Sequence, residues 1–169
     1  MEEKILSMYA KGMTTGDIES HMRELYDIDI SDSTISRITD KILPIVKEWQ
    51  ERPLEEVYAV VFMDAIHYHV RSEGRIVKRA VYIALGIDMN GKKDVLGMYV
   101  GENESAKFWH DNWATLSTYF KYPEAVRRLI YTTNAIEGFN RQLRKVTKSK
   151  TVFPSDDSLL KMLYLATMD

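Results

Sequence analysis

The chain has 169 residues, 45% apolar and 28% charged, with 23 Lys and Arg against 25 Asp and Glu for a formal charge of −2. That is globular composition, enough for one domain or for a small domain and part of a larger one, and it excludes wholesale disorder. Cysteine is absent, which excludes disulfides, zinc fingers and thiol nucleophiles, while the lack of any apolar run near the roughly 18 to 20 residues of a membrane span, or of a leader pattern, points to a soluble intracellular protein.

Ile5, Leu6 and Tyr9 begin a helical pattern that stops at Gly12. Thr14-Thr-Gly-Asp17 then reads as a capping box opening a second helix through Ile18, Met22 and Leu25. Ser31-Asp-Ser33 caps a third, with Ile35, Ile38 and Ile42 on one face and Ser36, Arg37, Asp40 and Lys41 pointing outward. Three short helices with a Gly turn have the form of a helix-turn-helix, the third being the recognition helix and Arg37 its candidate DNA contact. A plain three-helix bundle has the same pattern. The balance over residues 1–50, 6 Lys and Arg against 10 Asp and Glu, favours the bundle. Pro44 bends or restarts the helix that runs on toward Trp49, and Pro53 closes the segment, giving a cut between residues 1–53 and 54–169.

After Pro53 the period changes. Val57 to Met63 is an apolar run of strand length bounded by a polar turn around Ser72-Glu-Gly74, and Arg79 to Ile87 is another. Met89-Asn90-Gly91 is expected to turn the chain as a two-residue hairpin into Val95 to Val100, because Asn-Gly accepts the positive φ values such turns need. Three sequential antiparallel strands follow, in a mixed α/β (α+β) fold whose sheet is covered by helices. One such helix is expected over Glu104 to Phe120, with Trp109, Trp113 and Leu116 on its apolar side, and others from Asn134 to about Lys148 and from Ser155 to Met168. The last, with Leu159, Leu160, Leu163 and Tyr164 for a core face, is structural.

Two carboxylates bear on chemistry. Asp64 is placed at the end of an apolar strand, where it is either a metal ligand or the start of a turn. His67 and His69 follow at strand spacing on one face and read as a surface pair for want of a third ligand. Glu137 stands on a helix with Ile136, Phe139, Leu143 and Val146 on one side and Arg141, Arg144 and Lys148 beside it on the other. Residues 121–150 carry 8 Lys and Arg against 2 Asp and Glu, a footprint suited to a polyanion. The plain account of Glu137 is an i,i+4 pair with Arg141. The sharper one is that the bases hold phosphates while the acid holds a metal that acts on them.

Phe62-Met-Asp64-Ala-Ile-His-Tyr-His-Val-Arg71, Gly101-Glu-Asn-Glu-Ser-Ala-Lys-Phe-Trp109, Phe120-Lys-Tyr-Pro123 and Tyr131-Thr-Thr-Asn-Ala-Ile-Glu137 through Lys148 resemble, in order, the motifs of Mutator-type bacterial insertion-sequence transposases. The resemblance implies a catalytic domain similar to ribonuclease H with an Asp-Asp-Glu triad and two divalent ions, Mg²⁺ or Mn²⁺, for phosphodiester cleavage and strand transfer. It makes Asp64 similar to the first Asp and Glu137 to the final Glu. It also implies double-stranded DNA as partner, contacted by Arg37, Arg141, Arg144, Lys145 and Lys148, assembly with itself or with full-length transposase, a cytoplasmic, nucleoid-associated location, and neither a membrane nor a small-molecule substrate.

One departure stands out at Trp109-His110. In the family, further strands bearing the second Asp and a helical insertion with a Cys/His element follow this point. Here the sequence passes straight to His110-Asp-Asn-Trp113, which resembles the segment before the last catalytic helix, as after an internal deletion. Asp88, Asp94 and Asp111 are the remaining stand-ins for the second Asp; the first two flank the Asn-Gly turn and are explained by turn preference. The expectation is a transposase with an incomplete ribonuclease H-like domain and impaired catalysis. The alternative is a non-catalytic DNA-binding or dimerising remnant.

Overall fold

The computed structural model describes residues 1–102 and 134–168. The helix expected over Glu104 to Phe120, the Trp109-His110 junction and Asp111 lie outside the described residues. Four helices come first: α1 (Glu2–Ala10), α2 (Thr15–Tyr26), α3 (Asp32–Asp40) and α4 (Ile42–Glu51). Strands β1 (Val60–Ser72), β2 (Arg75–Ile87) and β3 (Lys93–Gly101) follow, and then helices α5 (Asn134–Thr147) and α6 (Asp156–Met168). This is the mixed helix and strand architecture expected. No helix among the described residues is long and apolar enough to cross a membrane.

The helix starts are set by side chains that satisfy orphan amides. Thr14 Oγ1 accepts from the Asp17 amide and Asp17 Oδ2 from the Thr14 amide, each at 3.0 Å. Ser31 Oγ accepts from the Thr34 amide at 3.3 Å at the start of α3. Pro44 restarts the chain as α4: it lies in that helix's first turn, where a missing N–H costs nothing. Gly12, in the turn from α1 to α2, has φ +94°, and a Cβ there would overlap the carbonyl oxygen of Val146 on α5. Only glycine fits both demands.

The sheet is a meander of order β1-β2-β3, all antiparallel. Facing pairs such as Ile66 with Val81 and Ile83 with Met98 point to one side, where they join a buried cluster with side chains of α1 to α6. The boundary expected near residue 53 falls in the irregular stretch between α4 and β1, but the helices before it share this core with the sheet and with α6. Trp49 meets Tyr164 edge-on at 5.3 Å. Arg52 lies over the Trp49 ring at 4.9 Å and reaches Asp94 at 3.1 Å and the Val95 carbonyl at 2.8 Å on β3. Lys161, on α6 and only 4% exposed, donates to Thr39 Oγ1 at 3.1 Å and pairs with Asp40, so the end of α3 is tied to α6.

Two expectations about the strands need correction. Asp64 is not at a strand end: β1 runs on to Ser72, and Asp64 pairs with Ile83 in its middle. Beyond Asp64 the residues alternate, with Ile66, Tyr68 and Val70 buried and His67, His69 and Arg71 exposed, as one solvated and one covered face require. The Asn90-Gly91 turn is not a two-residue reversal. Residues 88–92 lie between β2 and β3, Asp88 Oδ1 takes the amides of Asn90 and Lys92 at 2.8 Å each, and of the pair only Gly91 has positive φ, at +82°. The two-residue turn with both φ values positive is at Glu73 (+48°) and Gly74 (+75°).

Between α5 and α6 the chain returns to β1. The Phe153 amide donates to the His69 carbonyl at 2.9 Å, and its carbonyl accepts from the Arg71 amide at 2.8 Å, a single parallel bridge. Its ring meets Tyr68 edge-on at 5.8 Å. This bridge holds the end of α5 over β1.

Candidate nucleic-acid and metal cleft

Asp64 shares the covered face of β1 with Ile66 and Tyr68, yet its side chain is exposed and lines an open cleft with residues of α5. α5 presents a buried stripe of Ile136, Asn140, Leu143 and Thr147 to the body of the protein. Phe139 and Val146, expected on that side, are half-buried at its margins. Glu137, Arg141 and Arg144 are exposed at the rim, as their helical spacing predicts.

Asp64 and Glu137, 73 positions apart in sequence, line one open cleft of about 320 Å³ with Asn140, Arg141 and Arg144. Asp64 is fixed by two donors: its own neighbour's amide, Ala65 N–H, reaches Oδ1 at 2.8 Å, and Asn140 Nδ2 donates to Oδ2. Asn140 is 6% exposed, and its Oδ1 is buried without a hydrogen-bond partner among the described residues. Farther along the same face, burial raises the pKa of the Tyr68 hydroxyl, opposed by Thr147 and Arg144 on α5.

The cleft thus holds two carboxylates and two guanidiniums, a formal charge of zero. A phosphodiester entering it would meet Arg141 and Arg144, whose planar donors suit phosphate oxygens. Lys145 on α5 and Lys148 in the turn just after it are exposed and do not line the cleft. Arg37 is exposed on α3, on an element of its own, with only a 3.4 Å contact to Thr34 Oγ1.

Neither described stand-in for a further carboxylate joins the cleft. Asp88 organises the loop after β2, and Asp94 pairs with Arg52 and accepts from the Tyr58 hydroxyl at 3.3 Å, a tertiary role rather than the turn role expected. His67 and His69 lie on the opposite face of β1, and no group of three His, Asp or Glu able to hold a metal occurs among the described residues. Asn140 was missed from the sequence. Its spacing, three residues after Glu137 and three before Leu143, puts it at the seam between the basic and apolar faces, but nothing in that spacing says that a polar residue there is covered and has a partner.

Comparison with known proteins adds the following. The profile of the family described as "Transposase, Mutator family" matches residues 1–112 and 110–169, two segments that meet where the departure at Trp109-His110 was noted. The chain is 30% identical to the transposase for insertion sequence element ISRM3 of Rhizobium meliloti (strain 1021), over 97% of this chain and 66% of that protein. That alignment runs over 265 positions, more than the 169 residues present here, so part of the relative has no counterpart in this chain. A probable transposase for an insertion sequence element of Corynebacterium diphtheriae is 27% identical over 98% of this chain and 78% of that protein. The transposase for insertion sequence element IS256 in transposon Tn4001 of Staphylococcus aureus is 31% identical over 70% of this chain and 29% of its own length.

Proposed function

This chain belongs to the Mutator family of transposases, and from that premise we propose that it is an insertion-sequence transposase that engages DNA through the cleft between β1 and α5, with catalysis impaired by loss of an internal segment. The observation that carries the reading is the meeting of Asp64, Glu137, Arg141 and Arg144 in one cleft from distant parts of the sequence. Catalysis in this family's manner would need a divalent ion, Mg²⁺ or Mn²⁺, held by Asp64 and Glu137. The residues fit such an ion: both carboxylates line the same cleft, and the Asn140 amide bonded to Asp64 keeps one acceptor without a partner among the described residues. When bound, the ion would polarise a phosphoryl oxygen and lower the pKa of an attacking hydroxyl or water.

The protein's own part is to hold the phosphate with Arg141 and Arg144 and to keep the Asp64 carboxylate oriented through Asn140 and the Ala65 amide. With Arg141 and Arg144 engaged on phosphate, the two carboxylates among the described residues of the cleft balance one divalent ion rather than the two of an intact family member. Cleavage is therefore expected to be slow, whereas DNA binding is expected to persist. Interrupted matching at residues 110–112 supports the deletion, and with it the second reading, a non-catalytic DNA-binding or dimerising remnant. In this reading residues 1–53 would read DNA, with Arg37 on the recognition helix, and residues 54–169 would form the truncated ribonuclease H-like part.

The test is a nicking assay on labelled element-end DNA with Mg²⁺ and with Mn²⁺, alongside filter binding. Salt-sensitive binding with nicking that disappears in Asp64→Ala and Glu137→Ala supports an impaired enzyme. Binding with no nicking selects the remnant. Absence of salt-sensitive binding overturns both.

A further inference from the structure

Asn140 is an unusual residue for its place. It lies in the buried stripe of α5 between Ile136 and Leu143, where an apolar side chain would pack without cost, and it leaves one acceptor with no partner among the described residues. Burying an unsatisfied amide oxygen costs on the order of 1 to 3 kcal/mol. Native proteins rarely retain such a group unless a water, an ion or a function accounts for it. The other half of the same amide is fully used: Nδ2 donates to Asp64 Oδ2, so the amide plane is already aligned with the carboxylate that faces the cleft.

Exchange of the two ends of this amide needs only half a turn about χ2, a broad two-fold torsion with little intrinsic preference. Without an ion, Nδ2 must face Asp64, since an oxygen there would oppose the carboxylate. A divalent cation on Asp64 reverses that preference, because it takes the carboxylate's free lone pairs and attracts the amide oxygen. Hard cations accept neutral carbonyl oxygens beside carboxylates.

We propose that Asn140 is the third protein ligand of a single divalent ion in this cleft, contributing Oδ1 beside the carboxylates of Asp64 and Glu137. The inference rests on the divalent-ion reading above and adds the ligand identity and the count of one. With Arg141 and Arg144 engaged on phosphate, two carboxylates and one neutral amide balance one such ion. The exchange gives the oxygen the ion as partner while the amide nitrogen gives up Asp64 and takes the buried place, so the ion–oxygen bond must outweigh that lost hydrogen bond. Asn140 then stands in, independent of protonation and at lower affinity, for a third acid that the described residues of the cleft lack.

The experiment is a Mg²⁺ titration of the full chain labelled with ¹³C at the side-chain carbonyl carbons of Asn and Asp, read by NMR, with Asn140→Asp and Asp64→Asn to assign the two signals. Ligation through Oδ1 moves the Asn140 signal in step with that of Asp64, both saturating at one equivalent, and Asn140→Ala weakens Mg²⁺ binding about 10-fold or more. If the Asp64 signal moves and the Asn140 signal does not, Asn140 only positions the carboxylate, and the inference fails while the metal reading stands. If neither moves, both fail. Should Asn140→Ala not fold, the signals of the unsubstituted chain decide alone.

Discussion

At the scale of single residues, the two lysines beside Tyr9, Lys161 buried and Lys150 half-buried, behave differently because their partners do. Lys161 has 5% of its side chain exposed and Asp40 has 51%. Removing the anion leaves a buried cation uncompensated, while removing the cation leaves a half-exposed carboxylate that water can solvate. Asp40→Ala should therefore cost about 2 to 4 kcal/mol, and Lys161→Met about 1 kcal/mol or less; urea unfolding of the two variants checks the order. Lys150 sits 4.7 Å from the Tyr9 ring and 5.4 Å from that of Phe153, and burial lowers its pKa to about 8, opposed by Asp17 and assisted by Lys161. A base whose folded pKa lies below its unfolded value of 10.5 binds fewer protons when folded. Its penalty is complete below pH 8 and is relieved as pH rises toward 10.5, so stability increases across that window. Lys150→Met should remove that increase, and stability curves of both proteins at pH 7 to 10 that run parallel would refute the assignment.

Among the elements, α5 bears most of the functional load, and the turn at Gly12 shows how it is held. Gly12→Ala meets both a left-handed φ and the Val146 carbonyl, whereas Gly74→Ala meets strain alone, with no atom within 4 Å. The first should destabilise by about 3 kcal/mol or more and the second by about 1 to 2; equal losses in thermal unfolding would mean that the α1–α2 turn does not press on α5. On the other face of α5, reversing Arg141 and Arg144 to Glu should lower the salt dependence of DNA binding, reducing the slope of log K against log salt by about 2. Binding isotherms at three salt concentrations measure this. The polar members of the buried stripe, Asn140 and Thr147, were not legible from periodicity. A helical pattern marks which side is covered but not that a covered position can be polar when it has a partner, here Asp64 on β1 for Asn140 and the Leu143 carbonyl one turn back for Thr147.

For the molecule as a whole, the first four helices do not stand apart. Ile5, Ile18, Ile35 and Trp49 belong to the same buried cluster as Ile66, Met98 and Leu163, and Tyr9 donates to the Ser158 carbonyl at 3.1 Å. Amide exchange in α1 to α4 should then report the same opening free energy as in β2, in one cooperative transition; markedly earlier exchange of the helices would show that they unfold independently. The change of period after Pro53 was legible, yet contact across it could not be, since each apolar face reads the same whether its partner is its neighbour or a helix a hundred residues on.

Sequence alone determined the helix caps, the strand sequence, the basic face of α5 and, through four ordered motifs, the family, because all of these depend on local spacing and side-chain chemistry. Tertiary structure decided what those local rules cannot contain. It moved Asp64 from a strand end to mid-strand, since pairing with β2 rather than apolar content sets where β1 stops. It brought Asp64 to Glu137 and placed Asn140 between core and cleft, because α5 lies along β1. It also turned Asp88 and Asp94 away to a loop and an ion pair, leaving two carboxylates among the described residues of the cleft, and it is their number, fixed by packing, that limits the chemistry.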